Sequence, residues 1–161
     1  MGKPVDYIPL SRDYYAARGF AAYQWVENAD PAALHPLRQP LSRSRLALIA
    51  SGGIYRAGHV AFHFKDDASY RLVPKAVPVA ELRTAHFAYD QTDARADPNC
   101  VFPIEPLRRL EHAGFIGELA PYAITLMGGI YSVRRVRDEL APRIRERLQE
   151  MAVDAALLVP V

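Results

Sequence analysis

Short apolar runs that stop at glycine or at a polar loop, separated by stretches of helical period, constrain what this chain can fold into. LALIAS (46–51) runs into Gly52 and Gly53, RTAHFAYD (83–90) into QTDARADPN, and AITLM (123–127) into Gly128 and Gly129. DAALLVPV (154–161) is a fourth such run. Apolar segments this short and continuous read as strands buried on both faces of a parallel sheet. Between them, 103–112 reads as a helix, with Pro106 near its first turn and Gly114 just past its end. From Ser132 onward VRRVRDELAPRIRERLQEMA reads as the longest helix, with Val133, Val136, Leu140, Ile144, Leu148 and Met151 on its buried stripe and Pro142 expected to kink or divide it. Strands joined through helices predict an α/β protein, a Rossmann-like, mostly parallel sheet flanked by helices.

That domain is expected over 46–161, behind an N-terminal helical and irregular segment, 1–45. In the segment Ser11 is the expected helix cap and Gly19 the stop, and Tyr14, Tyr15, Phe20, Tyr23 and Trp25 read as core or interface aromatics. Pro31, Pro36 and Pro40 interrupt any long element ahead of the domain. With 20 basic and 18 acidic residues, the net charge of +2 makes no electrostatic case for a nucleic acid partner. Arg134, Arg135, Arg137, Arg143, Arg145 and Arg147 are interleaved with acids at helical spacing and read as a solvated face. The single cysteine, Cys100, excludes a disulfide framework within the chain and fits a reducing compartment. No apolar run approaches the ~18 residues needed to span a bilayer, and the N-terminal stretch lacks the apolar core of a signal peptide. The expected location is cytoplasmic, with no membrane partner.

In open α/β sheets ligands bind in the crevice beyond the carboxyl ends of the strands, so the strand ends at Ser51, Tyr89, Met127 and Val161 define the candidate site. Two of the exits echo each other as Gly-Gly-Ile-Tyr. Site-lining candidates are Ser51, Gly52, Gly53, Tyr89, Asp93, Asp97, Asn99, Met127, Gly128 and Gly129, with His86 and Asp90 as candidates for proton transfer. SGGIYRAG is not G-x-G-x-x-G and lacks the Lys-Ser or Lys-Thr of a phosphate loop, so a tight strand exit is the plainer reading. HFAYDQTDARADPNC holds His86, Asp90, Asp93 and Asp97, enough ligands in principle for a hard cation, but the spacing matches no metal loop and Arg95 competes for the carboxylates. An acidic cluster that structures its own loop is expected, and no metal. His59 and His63 read as ordinary packing, and Cys100 as a buried small hydrophobe. The residues alone predict strand-end loops and no catalytic nucleophile.

The series LIASGGIY, FHFKDDASYR, HFAYDQTDARADPNCVFPIEPLRRL, IGELAP, MGGIYS, ELAP and VDAALLVPV resembles, in order and across most of 7–161, the selenoprotein B family of the glycine, sarcosine, betaine and D-proline reductases. The D-x-x-D-A-R-A-D-P-N-x-V-F-P run is its most specific part. The resemblance implies reductive cleavage of a C–N bond in a small amine, betaine or amino-acid substrate. It implies a pyruvoyl-bearing partner subunit that activates the amine, and electrons from thioredoxin or another dithiol. It also implies that a strand like DAALLVPV is followed directly by selenocysteine or, in some members, cysteine. Selenocysteine is encoded by UGA, and reading UGA as a stop would end a chain at Val161. The expectation is an N-terminal fragment of a selenoprotein: inactive alone, with no catalytic residue or cofactor of its own. As an incomplete domain, it would have a buried central strand at 155–159 that lacks its next neighbour, which favours a homo-oligomer. Two other readings stay open, a non-catalytic binding or scaffolding subunit of the same fold and a flavodoxin-like or nucleotide-binding domain.

Overall fold

In the computed structural model, which describes residues 6–22, 28–31 and 34–161, β1 (Arg45–Ala50) is the strand to which most of the sheet is bonded. It belongs to the second of two compact units, Met1–Leu34 and His35–Val161. Every residue of β1 after Arg45 is buried, as five successive apolar side chains require. β7 (Ala155–Val159) pairs with it in parallel from Leu46↔Ala155 to Ala50↔Val159. A strand has two edges, so β5 (Glu118–Leu119) and β6 (Tyr122–Leu126), which pair in parallel with the start and the end of β1, share the other. β3 (Tyr70–Pro74) lies antiparallel on β6, from Tyr70↔Leu126 to Pro74↔Tyr122. The sheet therefore runs β3, β6 with β5, β1, β7: the α/β class is as expected, and its parallel part carries one antiparallel edge that the sequence reading lacked. Pro74, which has no N–H to donate, sits at the end of that edge strand.

Alternation along the strands sorts the faces of the sheet. Leu46, Leu48 and Ala50 of β1, Val73 of β3 and Ala123 of β6 pack in one cluster with Phe102 and with Ile104 and Leu107 of α3 (Ile104–His112). Ala47, Ile49 and Ile124, at the intervening positions, are buried outside that cluster. Gly114, at φ +72, ends α3 where expected.

Two expectations need correction. The run 83–90 is a strand only over β4 (Leu82–Thr84), and β4 pairs antiparallel with β2 (Ile54–Arg56), off the main sheet. Past Thr84, side chains bond the backbone in place of a ladder: His86 Nδ1 accepts the Ala88 amide, Gln91 Nε2 donates to the His86 carbonyl, and the Tyr89 hydroxyl donates to Gly52 O. β7 is not a buried central strand either. Leu158 is 66% exposed, because β1 is its one strand partner among the described residues. The long helical segment is divided ahead of Pro142, as expected: α4 (Val133–Arg135) passes through a π-helical turn, Val136–Leu140, into α5 (Ala141–Glu150), and Pro142 lies in the first turn of α5, where its missing donor costs no intrahelical bond. Leu140 is buried and Ile144, Leu148 and Met151 partly so, but Val133 is exposed.

In the first unit α1 (Tyr7–Ala16) has Asp6 at its N-cap position, so Ser11 lies inside the helix rather than capping it. Gly19, at φ +77, follows its end. Tyr14 and Tyr15 meet edge to face with centroids 5.4 Å apart, and Tyr15 meets Phe20 at 5.9 Å. Tyr23 and Trp25 lie outside the described residues. Among the described residues no helix is long and apolar enough to cross a membrane.

Candidate functional site

The two Gly-Gly exits are bonded to each other. Ser51 leaves β1 with its amide on Val159 O of β7 (3.1 Å), while its own carbonyl accepts the Gly128 amide at 2.8 Å. The Gly53 amide donates to Leu126 O at 3.0 Å, and Gly52 sits opposite Met127 in an antiparallel bridge. The end of β7 joins the same place: Val161 donates its amide to Ser51 Oγ at 2.9 Å. Ser51, Gly52, Gly53, Met127, Gly128 and Val161 thus converge, as strands ending on one edge of a sheet dictate.

Glycine is required here by close approach. Gly53 has φ +68, and a side-chain carbon on it would collide with the Ala85 carbonyl; Ala85 in turn donates its amide to Gly53 O at 2.9 Å. A carbon on Gly129 would collide with the ring of Phe87, and one on Gly52 would lie 3.0 Å from Val101 Cβ. Because Gly53 and Gly128 use their amides to hold the two exits together, neither amide is free to cradle an anion. Tyr89 OH (2.8 Å) and Thr84 Oγ1 (3.2 Å) both donate to Gly52 O, which ties the 85–91 loop to the first exit.

His86 lies in that loop, between the rings of Phe87 (5.8 Å, stacked) and Tyr89 (4.7 Å). Since Nδ1 accepts the Ala88 amide at 3.0 Å, the neutral imidazole carries its proton on Nε2, and that buried atom has no hydrogen-bond partner among the described residues. Burial holds the His86 pKa below its ordinary 6.5, so the ring is neutral at neutral pH.

The acidic candidates structure their own loop, as the residue spacing suggested. Asp90 Oδ1 accepts the Thr92 amide and hydroxyl, at 2.9 and 2.7 Å, and these bonds from Thr92 hold its carboxyl below the usual range. Asp93 lies in the first turn of α2 (Thr92–Ala96). Asp97 Oδ1 accepts the amide and the Nδ2 of Asn99, while Asn99 Oδ1 accepts the Glu105 amide at 3.1 Å and its Nδ2 donates to Glu105 Oε2. The Asp97-Pro98-Asn99 sequence is therefore a turn that caps α3, and it meets the strand ends through Val101 against Gly52. Cys100 is exposed, not buried as expected. Partial desolvation of the sulfur first, then the Asp97 and Asp93 charges, push its thiol pKa up, which opposes a nucleophilic role. His59 and His63 are exposed as well; His63 packs its ring on Phe64, with centroids 4.6 Å apart, and its Nδ1 accepts the Lys65 amide at 3.1 Å. Among the described residues no group of three or more His, Cys, Asp or Glu side chains is placed to hold a metal. The residues the sequence reading missed are Thr84, Phe87, Val101 and Tyr131; the Gly-Gly pairs were the signal, since each bare Cα implies a neighbour packed onto it.

At the opposite end of the sheet a cavity of about 400 Å³ is lined by Arg45, Glu118, Tyr122, Arg147 and Glu150 among others. Its charges pair among themselves, Arg45 with Glu118 at 2.8 Å and Arg147 with Glu150 at 2.5 Å.

The family model for glycine/sarcosine/betaine reductase selenoprotein B matches residues 18–161. D-proline reductase subunit gamma of Acetoanaerobium sticklandii is 33% identical over 146 residues, 91% of this chain and 60% of that protein. Glycine reductase complex component B subunit gamma of Symbiobacterium thermophilum is 36% identical over 129 residues, 77% of this chain and 30% of that protein. Sarcosine reductase complex component B subunit beta of Peptoclostridium acidaminophilum is 27% identical over 129 residues, 77% of this chain and 29% of that protein. The chain thus spans from under a third to three fifths of the length of these relatives. No solved structure matches it.

Proposed function

This chain belongs to the glycine/sarcosine/betaine reductase selenoprotein B family, and from that premise we propose that it supplies the strand-end framework of a reductase that cleaves a C–N bond in a small amine, betaine or amino-acid substrate. The redox group this framework serves is a selenolate or thiolate held at the strand ends; a selenol ionises well below the ~8.5 of a free thiol and is an anion at neutral pH. The pyruvoyl group that activates the amine belongs to a partner subunit, and thioredoxin or another dithiol supplies the two electrons that break the bond. Residues 1–161 offer a single thiol, Cys100, whose pKa is raised, so they supply the framework rather than the redox group, and the open edge of β7 is the surface through which the chain associates.

One observation carries this reading: Ser51 holds the end of β7 through its amide to Val159 O and the residue just beyond it through Oγ to the Val161 amide, at the point where the two glycine exits interlock. A residue following Val161 would begin from this fixed point. Ser51 Oγ retains its own proton for donation to a neighbouring anion, and the Nε2–H of His86 is the second donor in the region.

The test is a longer chain continuing through the next codon as cysteine or selenocysteine, mixed with a pyruvoyl-bearing reductase subunit and dithiothreitol. Glycine, sarcosine, betaine and D-proline are each offered, and product amine is measured. Turnover of one of them by the longer chain, and none by the 161-residue chain, is the expected result. Turnover by the 161-residue chain alone, or by neither, rejects the proposal.

A further inference from the structure

FHFKDDASYR (62–71) follows the first glycine exit by nine residues and precedes the second by 57, and it has no part in the site as described so far. The structure nevertheless joins it to the second exit through one residue. Asp66 Oδ1 accepts the amide of Tyr131 at 2.7 Å and that of Ser132 at 3.1 Å, and the Asp66 carbonyl accepts Arg135 Nη1 at 2.5 Å. We propose that Asp66 is the positioning residue for the second exit: reaching across from another loop, its carboxylate fixes the Gly128–Tyr131 segment that forms one wall of the strand-end site. The inference rests on the reading above only in treating that wall as part of a reaction site.

The segment needs an outside anchor. Gly128 and Gly129 are the residues with most backbone freedom to lose on ordering. Their local ties are few: the Ile130 amide reaches Gly128 O at 2.9 Å, and the Ser132 hydroxyl accepts the Arg135 amide at only 3.4 Å. The amides of Tyr131 and Ser132 precede the first turn of α4, where backbone donors have no partner within the helix and a negative charge is favoured. Asp66 supplies both an acceptor and that charge.

The loop that presents Asp66 is itself rigid. Asp67 Oδ2 accepts the His63 amide at 2.8 Å, and its Oδ1 accepts the Ser69 amide at 2.9 Å and the Ser69 hydroxyl. Arg71 donates to Val60 O (2.8 Å) and lies over the Phe62 ring at 4.4 Å. Asp66 has φ +47, a left-handed conformation that aspartate and asparagine tolerate better than other side chains, and it aims the carboxylate away from its own loop. What the clamp holds is a wall of rings: Tyr131 stacks on Phe87 at 6.3 Å, and Phe87 lies against bare Gly129.

The test is amide hydrogen exchange, residue by residue, on the 161-residue chain and its Asp66→Ala, Asp66→Gly and Asp66→Asn variants. Loss of the carboxylate should speed exchange at Tyr131 and Ser132 by roughly tenfold to a hundredfold, the range of hydrogen bonds to a charged acceptor. Protection at Gly53 and Gly128, which bond Leu126 and Ser51, should stay within about threefold, half a power of ten and so under ~1 kcal/mol. Asp66→Gly relaxes the backbone but should behave as Asp66→Ala, whereas Asp66→Asn keeps an acceptor and should retain most of the protection. Unchanged exchange at Tyr131 and Ser132 in Asp66→Ala, protection retained in Asp66→Gly, or a parallel loss at Gly53 and Gly128 overturns the proposal. In the longer, active chain Asp66→Ala should lower kcat more than it raises KM, with rescue by Asp66→Asn. Normal turnover despite the expected exchange pattern counts against placing the reaction at this wall and leaves the clamp standing.

Discussion

β1 and β7 are neighbours in one sheet, share parallel register and are built from the same few aliphatic side chains, yet they occupy opposite environments. Ile49 and Leu158 face each other across the ladder; Ile49 is 8% exposed and Leu158 66%. Strand composition therefore does not decide burial. β1 has partners along both edges and cover on both faces, and β7 has β1 alone among the described strands. An apolar strand in an edge position exposes unpaired N–H and C=O groups together with side chains that favour contact. This chain guards that edge with neither a charge nor a bulge within Ala155–Val159.

Truncating each member of the facing pair gives the largest contrast. Ile49→Ala should cost about 2–5 kcal/mol in urea unfolding and Leu158→Ala no more than about 0.5; equal costs would break the comparison. The ends of the two strands come next. Gly53→Ala, at a positive φ with the Ala85 carbonyl in the way, should cost about 1–3 kcal/mol. Ser51→Ala, which removes the acceptor of the Val161 amide, should cost about 0.5–1.5 kcal/mol and loosen the end of β7 without disturbing the glycine bridge. Hydrogen exchange at Val161 against Gly128 separates the two effects. Leu158→Lys should leave stability nearly unchanged while abolishing concentration-dependent association in sedimentation; association that survives the lysine would assign the contact to another surface.

The smallest expected effect is a pH dependence at the β1 exit. Burial lowers the His86 pKa from 6.5, so below that value the unfolded chain binds a proton that the folded chain refuses. Stability present above pH 6.5 should be lost as pH falls from 6.5 toward the folded pKa, and His86→Asn should flatten that slope. A slope unchanged in the variant would mean that His86 does not titrate differently on folding.

Much of this arrangement was legible in the residues. The run 46–51 and the pairs after it pointed to a strand with a close-packed exit, and Gly53 against Ala85 is the physical reason the glycine was needed. The helix at 103–112 and its Gly114 stop could be read from local chemistry. What could not be read depends on partners distant in sequence. Tyr70–Pro74 alternates too weakly to announce a strand and becomes one by pairing with β6. Residues 85–90 look like a strand by composition, but side-chain bonds from Tyr89 and Gln91 to the backbone took the place of a ladder. Asp97 and Asn99 sit in the motif that carries the family resemblance, and their contacts show them shaping the entry to α3.

The pairing of β1 with β7 also has a consequence for synthesis. Leu46 pairs with Ala155 and Ala50 with Val159, so the least exposed strand of the sheet is made early while one of its edges waits for the last strand. At translation rates of roughly 5–20 residues per second, the 105 positions from Ala50 to Ala155 take about five to twenty seconds. Closing so long a loop delays the reward of the pairing until its entropic cost has been met. Until β5 and β6 are made the aliphatic segment 46–50 has no strand partner on either edge, and from then until β7 is made it has partners on one edge only, so this topology leaves its most buried strand open to contact for most of synthesis.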